Sequence, residues 1–146
     1  MRRFNVAFLV MLMLSLPISL YLKTNVLENL GMMIAVGYDQ GERNKINATY
    51  VIHQINPDSK SSVIALTSDS LTSKGARAAA NRKSNKKLVS GQLRVAIYDY
   101  KLAEAGISPL VDTLFRNASI ASTVYMAVSK DKASDILLHK YPEFPD

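Results

Sequence analysis

The chain contains no cysteine among its 146 residues. This absence excludes disulfide bonds, thiolate metal sites and thiol catalysis within the chain. Histidine is almost as scarce: His53 and His139 are the two present, and their spacing is not that of paired metal ligands. We therefore predict no metal site and no cofactor, and we expect both histidines to have structural roles.

The sequence motifs that usually carry catalysis are missing as well. No His-Glu-x-x-His metal motif, phosphate-cradling glycine loop or Gly-x-Ser-x-Gly turn occurs. Asp131 and Asp135 lie four residues apart, but we interpret the first as a helix cap and the second as surface charge. The lack of a convincing nucleophile–base pair weighs against a hydrolase. We predict that the protein is not an enzyme and has no catalytic residues.

Acidic residues are absent between Asp69 and Asp99, whereas seven basic residues fall in this interval and the whole chain has a formal net charge of +6. A solvated helix face followed by a loop would give this pattern, and so would a surface that contacts an anionic membrane or an acidic partner. No recognised nucleic-acid-binding motif is present, so we expect no nucleic acid partner. The candidate residues for contact with an anionic surface are Lys74, Arg77, Arg82, Lys83, Lys86 and Lys87.

The longest uncharged run lies at the N-terminus. Arg2 and Arg3 precede residues 4–22, which carry no charge and are dominated by large apolar side chains. A basic start followed by an apolar run predicts export. The run is longer than the roughly 7–15 residues of a signal-peptide core, reaches the roughly 17–25 that cross a bilayer as a helix, and is followed by no Ala-x-Ala site. We predict that residues 1–22 are a signal or transmembrane anchor segment that stays attached, with the domain outside the membrane.

The remaining chain shows strand and helix patterns in alternation. Apolar and β-branched runs predict strands at 32–39, 46–55, 63–67, 93–98 and 123–128, and helical patterns occur at 71–82, 101–105, 107–115 and 131–137. Residues 84–87 look like a polar loop. The first two strands suggest an antiparallel hairpin, and the later strands, separated by helices, suggest parallel pairing.

The predicted fold class is α+β. We expect a single domain, residues 23–139, in which helices pack against a mixed β-sheet. A hydrophobic anchor or signal helix precedes it, and a linker-like tail, residues 140–146, follows it.

Some side chains receive specific structural roles from their positions. We expect Asp69 or Ser70 to cap the first helix and Asp131 to cap the last one. Leu114 and Phe115 are expected to lie in the core. The stripe of the first helix that should face the sheet consists of Leu71, Gly75, Ala78 and Ala79.

Five segments of the second half occur in an order and spacing that resemble a known family. They are Gly91-Gln92-Leu93-Arg94-Val95, Leu102-Ala103-Glu104-Ala105-Gly106-Ile107, Asp112-Thr113-Leu114-Phe115-Arg116-Asn117, Thr123-Val124-Tyr125-Met126-Ala127-Val128 and Lys130-Asp131-Lys132-Ala133-Ser134-Asp135-Ile136-Leu137. The pattern is similar to the N-terminal domain of the Ger(x)C lipoproteins, the C subunits of spore germinant receptors. The resemblance implies an exported, membrane-anchored protein that works with two membrane-embedded partner subunits in sensing nutrients.

The chain departs from the family pattern at three places. The family has a lipobox cysteine followed by Trp-Asp, whereas this chain has Tyr21 at or near that position, so the apolar segment is left as the expected anchor. Gln92 stands where the family commonly has histidine, and it keeps hydrogen bonding without a titratable ring. Family members continue for two further α/β domains, so we expect a truncated or diverged form that does not replace a full-length C subunit.

The resemblance implies a function that nothing else in the sequence names. It implies a non-enzymatic, membrane-anchored component of a nutrient germinant receptor at the inner spore membrane, which acts in spore germination by assembling with transmembrane partner subunits. The candidate contact for those subunits is Gly91, Gln92 and Arg94, although a strand start needs the same residue types. A generic exported module that holds a small ligand between sheet and helices is the alternative function.

Overall fold

A computed structural model of the chain describes residues 29–54, 62–121 and 123–139. The predicted anchor segment and the predicted tail lie outside these residues. The strands are β1 (Leu30–Gln40), β2 (Ile46–Gln54), β3 (Ser62–Ser70), β4 (Lys87–Val89), β5 (Val95–Asp99) and β6 (Tyr125–Ser129), and the helices are α1 (Ser73–Lys83), α2 (Tyr100–Ala105), α3 (Ser108–Phe115) and α4 (Ala133–Leu138). None of the helices in this part of the chain is both long and apolar enough to cross a membrane.

The strands form one mixed sheet in the order β3-β2-β1-β5-β6. The pairs β1–β2 and β2–β3 are antiparallel, whereas β5 runs parallel to β1, and β6 runs parallel to β5. These pairings confirm the predicted mixed sheet, with its antiparallel first half and parallel second half. The prediction of a polar loop at residues 84–87 is wrong at its end, because Lys87 begins β4, a three-residue strand parallel to the start of β1. A strand of three residues with one buried side chain is too short to show a recognisable alternation of apolar and polar residues in the sequence.

The main core lies between one face of the sheet and helices α1 and α3. Val36 and Tyr38 of β1 belong to it, and the Tyr38 ring stacks on that of Tyr98 in β5 with 5.6 Å between the ring centroids. Ala76 and Ala80 of α1 are completely buried, and such small side chains let the helix lie close to the sheet.

The face of α1 that packs on the sheet is not the predicted one. The buried positions of this helix are Ser73, Ala76 and Ala80, and Leu71 lies before the helix with 69% of its surface exposed. Asp69 and Ser70 do not cap the helix, because β3 continues through both of them and pairs with β2. The cap is Thr72, whose Oγ1 accepts a hydrogen bond from the Gly75 amide at 3.1 Å.

Helix α4 packs on the opposite face of the sheet, over β1. A Cβ atom on Gly37 would lie 2.8 Å from Leu137 Cδ1 and 3.0 Å from Ala133 Cβ, so the close approach of the helix requires glycine there. Side chains alternate along a strand, which puts Gly37 and Asp39 on this face and Val36 and Tyr38 in the main core.

Asp39 of β1 caps α4 from across the fold. Its Oδ1 accepts a hydrogen bond from the Ala133 amide at 2.6 Å and its Oδ2 accepts one from the Ser134 amide at 3.1 Å. The carboxylate is therefore bound to the first-turn amides of the helix, where the helix dipole also favours a negative charge. The prediction that Asp131 caps this helix is wrong: the residue is exposed, and no side chain at the local cap position accepts these hydrogen bonds.

The structure separates the two residues of α3 that were expected in the core. Leu114 is buried, with 8% of its surface exposed, which confirms one prediction; Phe115 is 73% exposed, so the other is wrong. Adjacent residues on a helix point about 100° apart. The eight-residue α3 buries Leu110 and Leu114, four positions apart, and Phe115 falls outside that stripe.

We expect alanine substitutions at these adjacent positions to have very different effects on stability. Leu114→Ala should lower the free energy of unfolding by about 2–5 kcal/mol, because it leaves a cavity in the core. Phe115→Ala should change it by less than about 1 kcal/mol. Chemical denaturation of both variants measures the difference, and equal losses would contradict the observed orientation of α3.

Replacement of Asp39 tests the long-range cap. Asp39→Asn keeps the size of the side chain but can offer one acceptor oxygen to the two amides, so the free energy of unfolding should fall by about 1–3 kcal/mol. The matched control is Asp131→Asn, which removes the same charge from an exposed position beside the helix and should change stability by less than about 0.5 kcal/mol. If thermal or chemical denaturation showed the larger loss for Asp131→Asn, the capping role would belong to that residue.

Candidate functional site

The carboxyl ends of the parallel strands form the edge of the sheet at which ligands of open α/β sheets commonly bind. Asp39 and Asp99, at the ends of β1 and β5, are the buried acids at this edge among the described residues. Each of their four carboxylate oxygens accepts a hydrogen bond from a backbone amide; the donors are Gln40, Leu102, Ala133 and Ser134. These carboxylates therefore hold strand and helix ends together.

A cleft of about 530 Å³ opens between α1 and the segment that follows α3. Four basic side chains from three regions of the chain line it, and we call it the basic cleft. No Asp or Glu belongs to its lining among the described residues. The four are Lys74 and Arg77 from α1, Lys87 from β4, and Arg116 at the end of α3.

Local structure explains why these side chains come together. The Thr72 cap starts α1 so that Lys74 and Arg77, three residues apart, lie on one face. Asn81 Oδ1 accepts a hydrogen bond from the Leu88 amide at 2.9 Å, which ties β4, and with it Lys87, to the same helix. Asn117 Oδ1 accepts one from the Ser119 amide at 3.0 Å and shapes the turn on the other side of the cleft.

Arg77 lies where the cleft meets the core. Burial raises the pKa of both Tyr38 and Tyr50, and the positive charge of Arg77 acts on each in the opposite direction. The net shift of each pKa is upward, so both phenols are neutral at physiological pH and do not neutralise the guanidinium. On the far wall Arg116 contacts Asp112 with 3.3 Å between nitrogen and oxygen. Both of these side chains are mostly exposed, and such a pair contributes little.

The structure divides the basic residues that the sequence grouped together. Lys74, Arg77 and Lys87 line the cleft, whereas Arg82, Lys83 and Lys86 do not. Arg82 and Lys83 belong to the last turn of α1, where positive charge complements the helix dipole, and Lys83 Nζ donates a hydrogen bond to the Thr67 carbonyl at 2.8 Å. Arg116 was missed, because it lies outside the acid-free interval and reaches the cleft through the packing of α3 beside α1.

The predicted partner contact lies next to the basic cleft. Gly91 and Gln92 form an exposed turn, and a Cβ atom on Gly91 would be 3.7 Å from the carbonyl oxygen of Ser119, which lines the cleft. The backbone of Arg94 is hydrogen-bonded to strands on both sides. Its amide donates to the Ile34 carbonyl of β1, and its carbonyl accepts from the Tyr125 amide of β6, both at 2.9 Å. The Arg94 side chain is exposed. The backbone bonds are those that a strand start needs, and contact with a partner through the side chains stays a prediction.

A second surface lies at the edge of the sheet formed by β6. Phe115 of α3 and Met126 and Val128 of β6 expose large apolar side chains on the α3 side, and we call these three residues the β6 patch. Phe115 and Met126 also border an apolar cavity of about 180 Å³. Sites for small molecules usually measure about 300–1,000 Å³, so this cavity is small for a ligand.

Comparison with known proteins identifies the relatives of this chain. The family described as "Spore germination protein N-terminal domain" matches residues 23–146. The spore germination protein GerQC of Bacillus cereus is 27% identical over 119 residues, which cover 82% of this chain and 33% of that protein. The chain therefore spans about a third of the length of this relative. No solved structure gives a significant match.

Proposed function

The chain belongs to the spore germination protein N-terminal domain family, and from this premise we propose that it is a membrane-anchored, non-enzymatic component of a nutrient germinant receptor. The family match over residues 23–146 is the observation that carries the proposal. In this role the domain lies outside the inner spore membrane and assembles with transmembrane partner subunits. The engagement of Asp39 and Asp99 by backbone amides supports an assembly role over a catalytic one.

The β6 patch supports the proposed assembly. β6 is the last strand on its side of the described sheet, and edge strands usually carry charges or are covered by other chain segments. Here Met126 and Val128 are exposed instead, and Phe115 extends the apolar surface onto α3. Contiguous exposed apolar side chains mark interaction sites. The proposal is also supported by Arg94, whose backbone carbonyl accepts a hydrogen bond from the amide of Tyr125, the first residue of β6.

The alternative, a small-ligand-binding module, receives less support. An apolar cavity lies between α3 and β6, and its volume of about 180 Å³ is below the range usual for ligand sites. A partner surface needs no enclosed volume. The exposure of Phe115, Met126 and Val128 therefore favours contact with a protein.

We expect Val128→Asp to disrupt assembly without unfolding the domain. A charge in the centre of an apolar interface must be desolvated without a partner, so recovery of partner subunits should fall by about tenfold or more. The measurement is co-purification of the multi-span germinant-receptor subunits with tagged full-length chain from sporulating cells, quantified by mass spectrometry.

The matched control is Val63→Asp at the opposite edge of the sheet. Val63 is 61% exposed on β3 and Val128 is 55% exposed on β6, so the two substitutions place the same charge on comparably exposed edge strands. Val63→Asp should leave recovery of the subunits unchanged. Equal recovery with both variants would remove the β6 patch from the proposed interface.

The proposed anchor predicts how the chain fractionates. The uncharged run at residues 4–22 is long enough to span a bilayer, so the full chain should remain with the membranes after a carbonate wash and retain Met1 or Arg2 at its N-terminus. Membrane fractionation with N-terminal sequencing measures this. A mature N-terminus near Lys23 would show that the segment is a cleaved signal.

A further inference from the structure

We propose that the basic cleft binds a phosphate-bearing anion, either a free phosphorylated small molecule or the headgroup of an anionic lipid. This inference goes beyond the receptor role and does not depend on it. It specifies a binding site in which Lys74, Arg77, Lys87 and Arg116 contact the phosphate-bearing group.

The charge of the cleft is the first argument. Four cations from three parts of the chain line one space of about 530 Å³, and no carboxylate of the described residues belongs to the lining. The Asp112 carboxylate that contacts Arg116 lies outside the lining, and that exposed pair contributes little. Like charges gathered along one cleft repel each other, and a bound anion reduces that repulsion. The volume lies within the range of about 300–1,000 Å³ in which proteins bind small molecules.

The position of Lys74 is a second, independent argument. It lies in the first turn of α1, which contains no acidic residue. The positive end of the helix dipole disfavours a cation there, so local stability does not account for this lysine. Residues whose charge or type is unfavourable for the local structure often serve a functional site. An anion bound here would interact favourably with both the lysine and the positive end of the helix.

The asparagines of the cleft are oriented as donors. Asn81 uses its Oδ1 to accept from the Leu88 amide, and Asn117 uses its Oδ1 to accept from the Ser119 amide. Each side chain therefore has its NH₂ group left for a ligand. Two amide donors beside four cations suit a ligand that consists of acceptors.

Phosphate satisfies this arrangement better than an acidic peptide does. The guanidinium groups of Arg77 and Arg116 match the geometry of phosphate oxygens, to which they donate paired hydrogen bonds. An extended acidic peptide would need a positive surface that continues beyond the cleft along the length of the peptide. Arg82, Lys83 and Lys86 lie outside the cleft lining. The compact cleft therefore favours a ligand whose negative charge is concentrated in one group.

Calorimetric titration of the full chain in a neutral detergent tests the proposal. The soluble probe is glycerol 3-phosphate, and the lipid probe is phosphatidylglycerol mixed into the micelles, with phosphatidylcholine as its neutral reference. The cleft variant Lys74→Gln with Arg116→Gln removes two exposed cations from opposite walls. The control variant Arg82→Gln with Lys101→Gln removes one lysine and one arginine from exposed positions outside the cleft.

We expect the cleft variant to raise the Kd by at least about tenfold, because two charge-assisted contacts are lost, and the control variant to raise it by less than about twofold. Binding of wild type should weaken as salt increases. The single variant Arg77→Gln provides a second cleft test, and melting temperatures check that every variant is folded.

Each outcome decides the proposal. Cleft-dependent binding of glycerol 3-phosphate alone identifies a free ligand, and cleft-dependent binding of phosphatidylglycerol alone identifies a lipid headgroup. Equal weakening in the cleft and control variants would show an effect of net charge and overturn the site. Saturation by neither probe, or displacement of both by hexaglutamate at lower concentration, would also overturn the assignment to phosphate.

Discussion

The Asp39 carboxylate holds together parts of the fold that are 94 residues apart in the chain. It lies at the end of the central strand with 4% of its surface exposed, and a charge so far from water must be hydrogen-bonded. The amides at the start of α4 supply those bonds, and they are groups that a helix leaves unpaired. One contact therefore satisfies a buried charge and a helix end together. Asp99 makes the same kind of contact at the end of β5, binding the Gln40 amide and the first turn of α2.

These contacts explain which parts of the structure could be predicted from the sequence. The hairpin and the mixed sheet follow from period-two patterns and from helices between later strands, which are local signals. The cap of α4 is not a local signal: Asp131 has the right residue type and lies one residue before the cap position, Lys132, but Asp39 has the hydrogen bonds. Glycine at 37 lets α4 come close enough to β1 for these bonds to form.

Residue type also failed to define the buried face of α1. This helix contains many small side chains, and Ala78 and Ala79 give the same hydropathy signal as Ala76 and Ala80. The true start of the helix, set by Thr72, decides which of them face the sheet, and the extension of β3 to Ser70 decides that start. The spacing of Lys74 and Arg77 on one helix does put them on a common face, and both line the cleft. The acid-free interval alone could not predict the whole lining, because Arg116 joins it from a different helix.

The basic cleft and the β6 patch use different physical forces within one small domain. The proposed attraction of an anion to the cleft is electrostatic and falls with salt, whereas the proposed contact through Phe115, Met126 and Val128 depends on apolar area and is little affected by salt. The turn at Gly91 borders the cleft at Ser119, and Arg94, a few residues later, is bonded to the first residue of β6. This short connection joins the two surfaces. The basic cleft and the β6 patch are therefore linked through the backbone of the Gly91 turn, β5 and β6.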